Sequence, residues 1–430
     1  MRRLELWGGL ECTLNRVRDR WYSQLAWTGH EQRISDLELI AGLGIRTLRY
    51  PVLWEQCAPH SLAEVDWRWA DQRLRRLQEL HIQPVVGLIH HGSGPRYADI
   101  GSERFAPGLA EFAMRFAERF PWVDRYTPVN EPLTTARFSG LYGHWYPHGT
   151  DDRTFVRTLL NQCSAIRLAM QAIRTVNAGA QLVQTEDLGT TYAAGAAVSQ
   201  AEFDNERRWL SWDLLCGRVD RHHPLRPFLL RSGASAEELD LLVHEPCAPS
   251  VIGINHYVTS DRYLDPRLEK YPPHTWGGNG RQRYADVEAV RVLEGSYCGW
   301  RVIDQAWSRY RLPLALTEVH IGCAQEEQLR WLLDAWLAAQ QAHDSGSAVL
   351  AVTAWALLGG YDWDSLVTCP RGHYECGAFD ARAPQPRPTP LAGLIRTLAG
   401  NEAALSPAVD GAGWWQLPQR QLYGRSGVNV

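Results

Sequence analysis

Short apolar segments alternate with longer amphipathic segments along most of this chain, and this alternation constrains its fold more than any other feature. Eight segments have the length and apolar character of buried strands: 4–9, 45–50, 83–90, 123–130, 181–186, 251–257, 313–318 and 349–355. Eight others have helical periodicity: 31–43, 67–80, 107–119, 154–176, 204–217, 296–310, 325–342 and 388–399. Alternating strands and helices pair their strands in parallel through right-handed crossovers. Eight such units predict an α/β fold, a closed (β/α)8 TIM barrel.

The predicted barrel occupies residues 1–400. An open, doubly wound sheet is the alternative, but no glycine-rich phosphate turn follows the first predicted strand. The connections 218–250 and 258–295 are long, and long loops at the carboxyl ends of barrel strands usually build substrate sites. Residues 401–430 are a tail rich in Pro and Gly. This tail either wraps the barrel or links it to a further, C-terminal fusion domain.

Composition limits the partners and the compartment. The chain has 430 residues and a net charge of −4, which gives no electrostatic reason to expect binding to nucleic acid or to an anionic membrane. No apolar stretch of about 18 residues is present, so no membrane span is predicted. The N-terminal sequence has no signal-peptide pattern. The nine dispersed cysteines favour reduced thiols and a cytoplasmic location.

Two predicted strands end in a glutamate. The stretch "YTPVNEPLTT" closes the fourth strand with Asn130 and Glu131, and "LPLALTEVH" closes the seventh with Thr317 and Glu318. Both carboxylates therefore lie at the carboxyl-end rim, where barrel enzymes carry their catalytic groups. A glycosidase requires such a pair, one acting as acid and base and the other as nucleophile or base. Either glutamate alone would be an ordinary rim residue, whereas the pair favours a glycosidase.

At these residues the sequence resembles glycoside hydrolase family 1, the β-glucosidase-like retaining β-glycosidases. The family's T-x-N-E-P and I/V-T-E-N-G motifs match "TPVNEP" and "LTEVH". The resemblance implies that Glu131 is the acid/base, that Glu318 is the nucleophile, and that Asn130 contacts the sugar. It also implies an exo-acting hydrolase of a carbohydrate substrate that needs no cofactor and no metal.

The other family motifs match in chain order. The segments "LRYPVLWE", "VVGLIHH", "GINHY" and "WALLGGYDW" resemble the family's strand-two, strand-three, strand-six and strand-eight motifs. The resemblance implies supporting roles around the nucleophile for Arg49, Asn255 and Tyr257. It implies sugar contacts for His90, His91, Trp355, Asp362, Trp363 and Glu11.

Five positions depart from the family pattern. Glu11 in "GLECT" stands where the family has Gln, and Asp362 stands where it has Glu. His91 replaces a Trp, and Val319-His320 replaces Asn-Gly. The resemblance implies that the first two positions sort sugars by hydroxyl geometry, so we predict an enzyme that is not a narrow glucosidase.

The sequence also allows other interpretations. Glu186 and Asp187 end the fifth predicted strand and are a rival acidic pair, although adjacent strand residues point apart. "CPRGHYEC" brings Cys369, His373 and Cys376 close in sequence, but a zinc site would need a fourth ligand. The alternatives to a hydrolase are a transglycosidase with the same carboxylates and a non-catalytic sugar-binding barrel.

Overall fold

The computed structural model describes residues 3–294, 299–400 and 410–423. Its centre is a closed barrel of eight parallel strands, each paired with its neighbours in chain order. The strands are β1 (Glu5–Gly9), β2 (Thr47–Pro51), β3 (Gln83–Gly87), β4 (Arg125–Thr127), β5 (Gln181–Asp187), β6 (Val251–Asn255), β7 (Leu314–Val319) and β8 (Val349–Ala354). The predicted (β/α)8 TIM barrel is confirmed, with a strand in each of the eight predicted segments.

Helices surround the barrel. They are α1 (Gln24–Trp27), α2 (Asp36–Ala41), α3 (Trp54–Cys57), α4 (Arg68–Glu79), α5 (Phe105–Arg119), α6 (Pro132–Ala136), α7 (Asp152–Val176), α8 (Val198–Arg207), α9 (Leu210–Leu215), α10 (Arg226–Arg231), α11 (Ala236–His244), α12 (Arg301–Tyr310), α13 (Gln325–Asp344) and α14 (Pro390–Gly400). The single helix predicted over 204–217 is wrong, because α8 and α9 are separate. At the break, the Arg208 side chain bonds to the carbonyl oxygens of Asn205 and Gly189. The predicted segment 296–310 becomes helical at Arg301, and residues 295–298 lie outside the described part of the chain.

Two strands end earlier than predicted, and their ends shape the rim of the barrel. The β4 ladder stops at Thr127 because Pro128 has no N–H to donate. The β3 ladder stops at Gly87. A single bridge between His90 and Asn130 then rejoins the two chains beyond their ladders. The bridge places these two polar side chains next to each other at the carboxyl end of the barrel.

The apolar side chains fall into two main layers. Along β1, Leu6 belongs to the large cluster between barrel and helices, whereas its neighbour Trp7 belongs to a separate small cluster. Successive strand residues point to opposite faces, so the small cluster fills the barrel interior. Its other buried members come from β3, β5, β6, β7 and β8: Val85, Val183, Val251, Ala315 and Ala351.

The two long connections are structured. The 218–250 connection contains α10 and α11. The 258–295 connection supplies three strands of a four-stranded sheet, whose fourth strand, Thr191–Ala193, follows β5. This sheet therefore ties the loop after β6 to the loop after β5, beside the rim that carries the two glutamates.

Residues 410–423 lie against the barrel. The Trp415 ring is buried and its centroid lies 4.9 Å from that of Trp331 on α13. The Arg420 guanidinium donates to the carbonyl oxygens of Val290 and Leu293. The division of the chain at residue 400 stays a prediction. Among the described residues, no helix combines the length and apolar character that a membrane crossing requires.

Candidate active site

Glu131 and Glu318 are both buried at the carboxyl-end rim, with 4% and 3% of their surfaces exposed. Glu318 is on β7, one residue before its end. Glu131 lies beyond β4, directly before α6, with a left-handed backbone at φ 47°. The charge on Glu318 raises the pKa of Glu131, and both carboxylates act electrostatically on Tyr257. The structure thus brings together the pair that the sequence singled out.

Glu318 is held by two strong donors. Arg49 Nη1 donates to Glu318 Oε1 at 2.7 Å, and the Tyr257 hydroxyl donates to Oε2. Burial raises the pKa of Glu318, whereas Arg49 and Tyr257 both lower it. The arginine is itself fixed, since Nη1 also donates to the Thr317 carbonyl and Nη2 donates to Asn130 Oδ1 at 2.6 Å. A carboxylate with a bonded cation keeps its charge more readily than one without.

Glu131 has a different environment. Glu131 Oε1 accepts a hydrogen bond from the side-chain amide of Asn255, on β6. Burial raises the pKa of Glu131 well above its usual range, and the charges of Glu318, Asp187 and Glu186 raise it further. The Asn255 amide opposes this rise. Of the two rim carboxyls, Glu131 therefore binds a proton more readily.

His90 and His91 lie beside the pair as neutral rings. Burial is the main cause that lowers the pKa of both, to about 3 for His91. His91 Nε2 is 3.7 Å from Glu131 Oε2, and its Nδ1 is 3.0 Å from the Thr135 hydroxyl. With the histidine neutral, the 3.7 Å contact is not an ion pair. His90 Nε2 is 3.3 Å from the Asn130 amide nitrogen.

Trp355 forms the floor of this cluster. Its ring stacks on His90 with centroids 5.6 Å apart and an interplanar angle of 12°. The Arg49 guanidinium carbon lies 4.7 Å from the same indole. Gly9, at the end of β1, provides the room, because a Cβ there would lie 2.4 Å from a ring carbon. An aromatic ring beside polar rim groups is the kind of surface on which a sugar ring packs.

Glu11 also faces the cluster. It is 5% exposed, and its Oε1 accepts from the Thr13 backbone N–H at 2.9 Å. Burial raises its pKa to about 7, and the charge on Glu318 adds to the rise. The nearby indole of Trp363 opposes part of this rise in the pKa of Glu11. Near neutral pH, Glu11 therefore exchanges between a form that donates a hydrogen bond and one that only accepts.

Asp362 is engaged elsewhere. Its Oδ1 accepts from the His373 backbone N–H at 2.8 Å, and its Oδ2 accepts from that of Arg371 at 3.1 Å. Both oxygens thus anchor the loop around residues 371–373. The sugar contact that the sequence resemblance implies for Asp362 stays a prediction. Both of its carboxylate oxygens already accept hydrogen bonds from the backbone.

The rival pair at the end of β5 has structural partners. Glu186 accepts from the backbone N–H groups of Leu133 and Thr134, at 2.8 and 3.1 Å, and from the Thr134 hydroxyl. It therefore caps α6 immediately after Glu131, and burial raises its pKa to about 7. Asp187 points away from this cap and accepts from the Ser260 hydroxyl at 2.5 Å.

Two threonines to which the sequence assigned no role orient the site. Thr185 donates to Asn130 Oδ1, and Thr317 donates to Asn255 Oδ1, both at 2.7 Å. Each bond fixes which way an amide faces, so that its NH₂ group points inward. Their positions beside the terminal acidic residues of β5 and β7 were the only signal in the sequence.

Metal ligation has no geometric support in the part of the chain described. Within residues 3–294, 299–400 and 410–423, no group of three His, Cys, Asp or Glu side chains is arranged to hold a metal ion. The Cys369 side chain is exposed. The backbone N–H of His373 donates a hydrogen bond to Asp362 Oδ1.

Solved structures with the same architecture decide the fold family. The chain has the fold of the family 1 β-glucosidases. The family 1 β-glucosidase from Thermotoga maritima matches with a TM-score of 0.74 and 16% identity, over 93% of this chain and 98% of that chain. The same organism's β-glucosidase in complex with azafagomine matches with a TM-score of 0.74 and 15% identity, and its complex with deoxynojirimycin with 0.73 and 16%, over the same shares of both chains.

No protein-family model matches the sequence. At 15–16% identity, the likeness to the β-glucosidase structures shows the β-glycosidase fold, and the chemistry has to be argued from the site.

Proposed function

We propose that this protein is a retaining exo-β-glycosidase with Glu318 as nucleophile and Glu131 as acid/base. One observation carries the proposal: two buried rim carboxyls lie in one network, and only one of them is bonded to a cation. Environments that push apart the pKa values of two carboxyls divide the roles of acid and base between them. The β-glycosidase fold supports the substrate class.

In the first step, a Glu318 oxygen attacks the anomeric carbon as the bond to the leaving oxygen breaks. Glu131 gives its proton to that oxygen, so the aglycone departs as an alcohol. Arg49 and Tyr257 keep the attacking carboxylate charged and oriented. The covalent glycosyl-enzyme then faces a deprotonated Glu131.

In the second step, Glu131 takes a proton from water, and the hydroxide oxygen displaces Glu318 from the anomeric carbon. Two displacements at one carbon retain its configuration. Thr317 orients the Asn255 amide, and this amide donates to Glu131. The carboxylate that activates the water is therefore held in a fixed position. The neutral histidines and Trp355 supply a sugar surface that does not compete for these protons.

Azide rescue tests both roles. Glu318→Gly should lose hydrolysis of an activated aryl β-glycoside and, with azide, form the α-glycosyl azide. Glu131→Ala should retain activity on good leaving groups and form the β-glycosyl azide. Glu103→Ala, an exposed glutamate, is the matched control and should behave as wild type. Exchange of the two azide products would reverse the assigned roles, and wild-type binding of sugar without turnover would favour a non-catalytic barrel.

A further inference from the structure

A polar cavity lies next to the catalytic pair, on the Glu131 side. It has a volume of about 50 Å³, enough for a few waters or one small anionic group. One wall is Leu133, two residues beyond Glu131, and another is Asp187, whose charge acts on both Glu131 and Glu318. Ser260 completes the link, since its hydroxyl bonds Asp187 and accepts from the backbone N–H of Tyr257. We call this space the arginine cavity.

Four arginines and three aspartates line the arginine cavity. Arg207 pairs with Asp204 at 2.7 Å, and Arg262 pairs with Asp286 at 2.8 Å. These two ion pairs are close, so each arginine charge is largely balanced. The charges of the other two arginines of the cavity are less fully neutralised by a carboxylate.

Arg137 and Arg208 are the two under-neutralised cations. Arg137 reaches its aspartate, Asp187, only at 3.8 Å, and its buried Nε has no hydrogen-bond partner among the described residues. Arg208 gives its hydrogen bonds to neutral oxygens, those of Asn205, Gly189 and Thr190. Asp261 and Glu206 act on Arg208 electrostatically, and Arg309 opposes them.

A buried donor without an acceptor is costly, and a guanidinium prefers a two-oxygen acceptor such as a carboxylate or phosphate. The acid/base lies beside the leaving oxygen, so a cavity on the Glu131 side is where the aglycone of a bound glycoside would lie. We propose that the arginine cavity receives an anionic group, a carboxylate or a phosphate, carried by the aglycone. This inference rests on the proposed function for its substrate, and on the arginines for its charge preference.

The test compares aryl β-glycosides whose leaving groups are 3-carboxyphenol, 3-phosphonophenol and the neutral 3-carbamoylphenol. The two anionic substituents identify which anion the arginine cavity prefers. The neutral carbamoyl group makes the better leaving group electronically, so a preference for the carboxylate cannot come from leaving-group acidity. We expect kcat/KM to be about tenfold higher for at least one anionic substrate, and the ratio to fall as salt is added.

The variants locate that preference. In Arg137→Gln, the ratio of kcat/KM for the anionic substrates to that for the neutral one should be close to one. Arg137→Lys should restore part of this ratio, because lysine returns the positive charge but not the paired N–H donors of the guanidinium. Arg115→Gln removes an equal charge from α5, outside the arginine cavity, and should keep the wild-type ratio. Thermal melting establishes that each variant is folded. Equal rates for all three substrates, or a preference that survives Arg137→Gln, would overturn the inference while leaving the proposed function intact.

Binding of the free leaving group separates the two proposals. Titration calorimetry with 3-hydroxybenzoate should show binding to the wild type that weakens in Arg137→Gln. If no glycoside is cleaved but this binding is found, the proposed function fails and the anion preference stands. If glycosides are cleaved, but the rates are the same for anionic and neutral substrates and the calorimetry shows no binding that depends on Arg137, the anion preference fails and the proposed function stands.

Discussion

Arg49 Nη1 lies 2.7 Å from Glu318 Oε1, and both side chains are at least nine-tenths buried. The guanidinium also reaches Asn130, the residue before Glu131, so one cation connects the two halves of the site. Burial raises the pKa of Glu318 and Arg49 offsets part of that rise, while Glu131 has no bonded cation to offset its own.

Replacement of Arg49 should therefore change the pH profile as well as the rate. In Arg49→Gln, the pKa of Glu318 rises because burial is no longer opposed by a cation. The acidic limb of kcat/KM should move to higher pH, and the maximum should fall by about 100-fold or more. Arg49→Lys should keep the limb closer to wild type, since it keeps the charge. An acidic limb that stays in place in Arg49→Gln would mean that another group titrates there.

Asn255 should control the basic limb. Its amide is the hydrogen bond that lowers the pKa of Glu131, so Asn255→Ala should raise that pKa further. Activity should then persist to higher pH, with a lower maximum. In Glu131→Ala, measured on a substrate with a good leaving group, the basic limb should vanish. A basic limb that survives in Glu131→Ala would assign the acid to another residue.

Glu186 should act on the acid/base through α6. Glu186→Ala leaves the buried N–H groups of Leu133 and Thr134 without their acceptor, which should cost about 1–3 kcal/mol of unfolding free energy. It should also slow substrates with poor leaving groups more than those with good ones, because only the former need a well-placed proton. Glu186→Gln keeps an acceptor oxygen and should restore part of both. Equal slowing of both substrate classes would limit Glu186 to a structural role.

Glu55 gives a stability test away from the catalytic carboxyls. Its Oε1 accepts from the Gly94 N–H, its Oε2 is buried without a partner among the described residues, and burial raises its pKa from 4.5 to about 7. Between those pH values the unfolded chain loses this proton while the folded protein keeps it, so stability falls as pH rises through this window. The loss is on the order of 3 kcal/mol at most.

Glu55→Gln has no proton to lose. Its Tm should match that of the wild type near pH 4.5 and exceed it increasingly up to pH 7. The matched control is Glu64→Gln, at an exposed position, which should follow the wild type at every pH. A Tm difference for Glu55→Gln that is constant with pH would contradict the raised pKa.

Glu11 should set the sugar preference. Its carboxyl titrates near neutral pH, whereas a Gln would present N–H donors at every pH. Glu11→Gln should shift kcat/KM toward β-glucosides over β-galactosides and β-fucosides, by about tenfold for one buried hydrogen bond. The wild-type ranking should also differ between pH 6 and pH 8. Asp362→Glu is a poorer test, because Asp362 holds the 371–373 loop. An unchanged ranking in Glu11→Gln would mean that Glu11 does not face the sugar.

Local patterns in the sequence were enough to predict the barrel and its two rim carboxylates. Strand and helix periods are local properties, and eight alternating units leave few topologies, so strand order followed from the pattern. Glu131 and Glu318 could be placed at one rim because parallel strands carry their carboxyl ends on the same side. The ends of β3 and β4 could not be predicted from the sequence. Pro128 interrupts a ladder only where its missing N–H would have faced a neighbouring strand, and the neighbour is set by the closed barrel.

The partners of each side chain depend on how distant segments of the chain pack together. Arg49 and Glu318 are 269 positions apart, and Asn255 and Glu131 are 124 apart, so no local pattern reports that these pairs are bonded. The orientation of Asp362 toward the backbone and the capping of α6 by Glu186 likewise depend on loops that meet only in the closed barrel. Burial of these groups, which sets their pKa values, is a property of the whole packed molecule rather than of any segment.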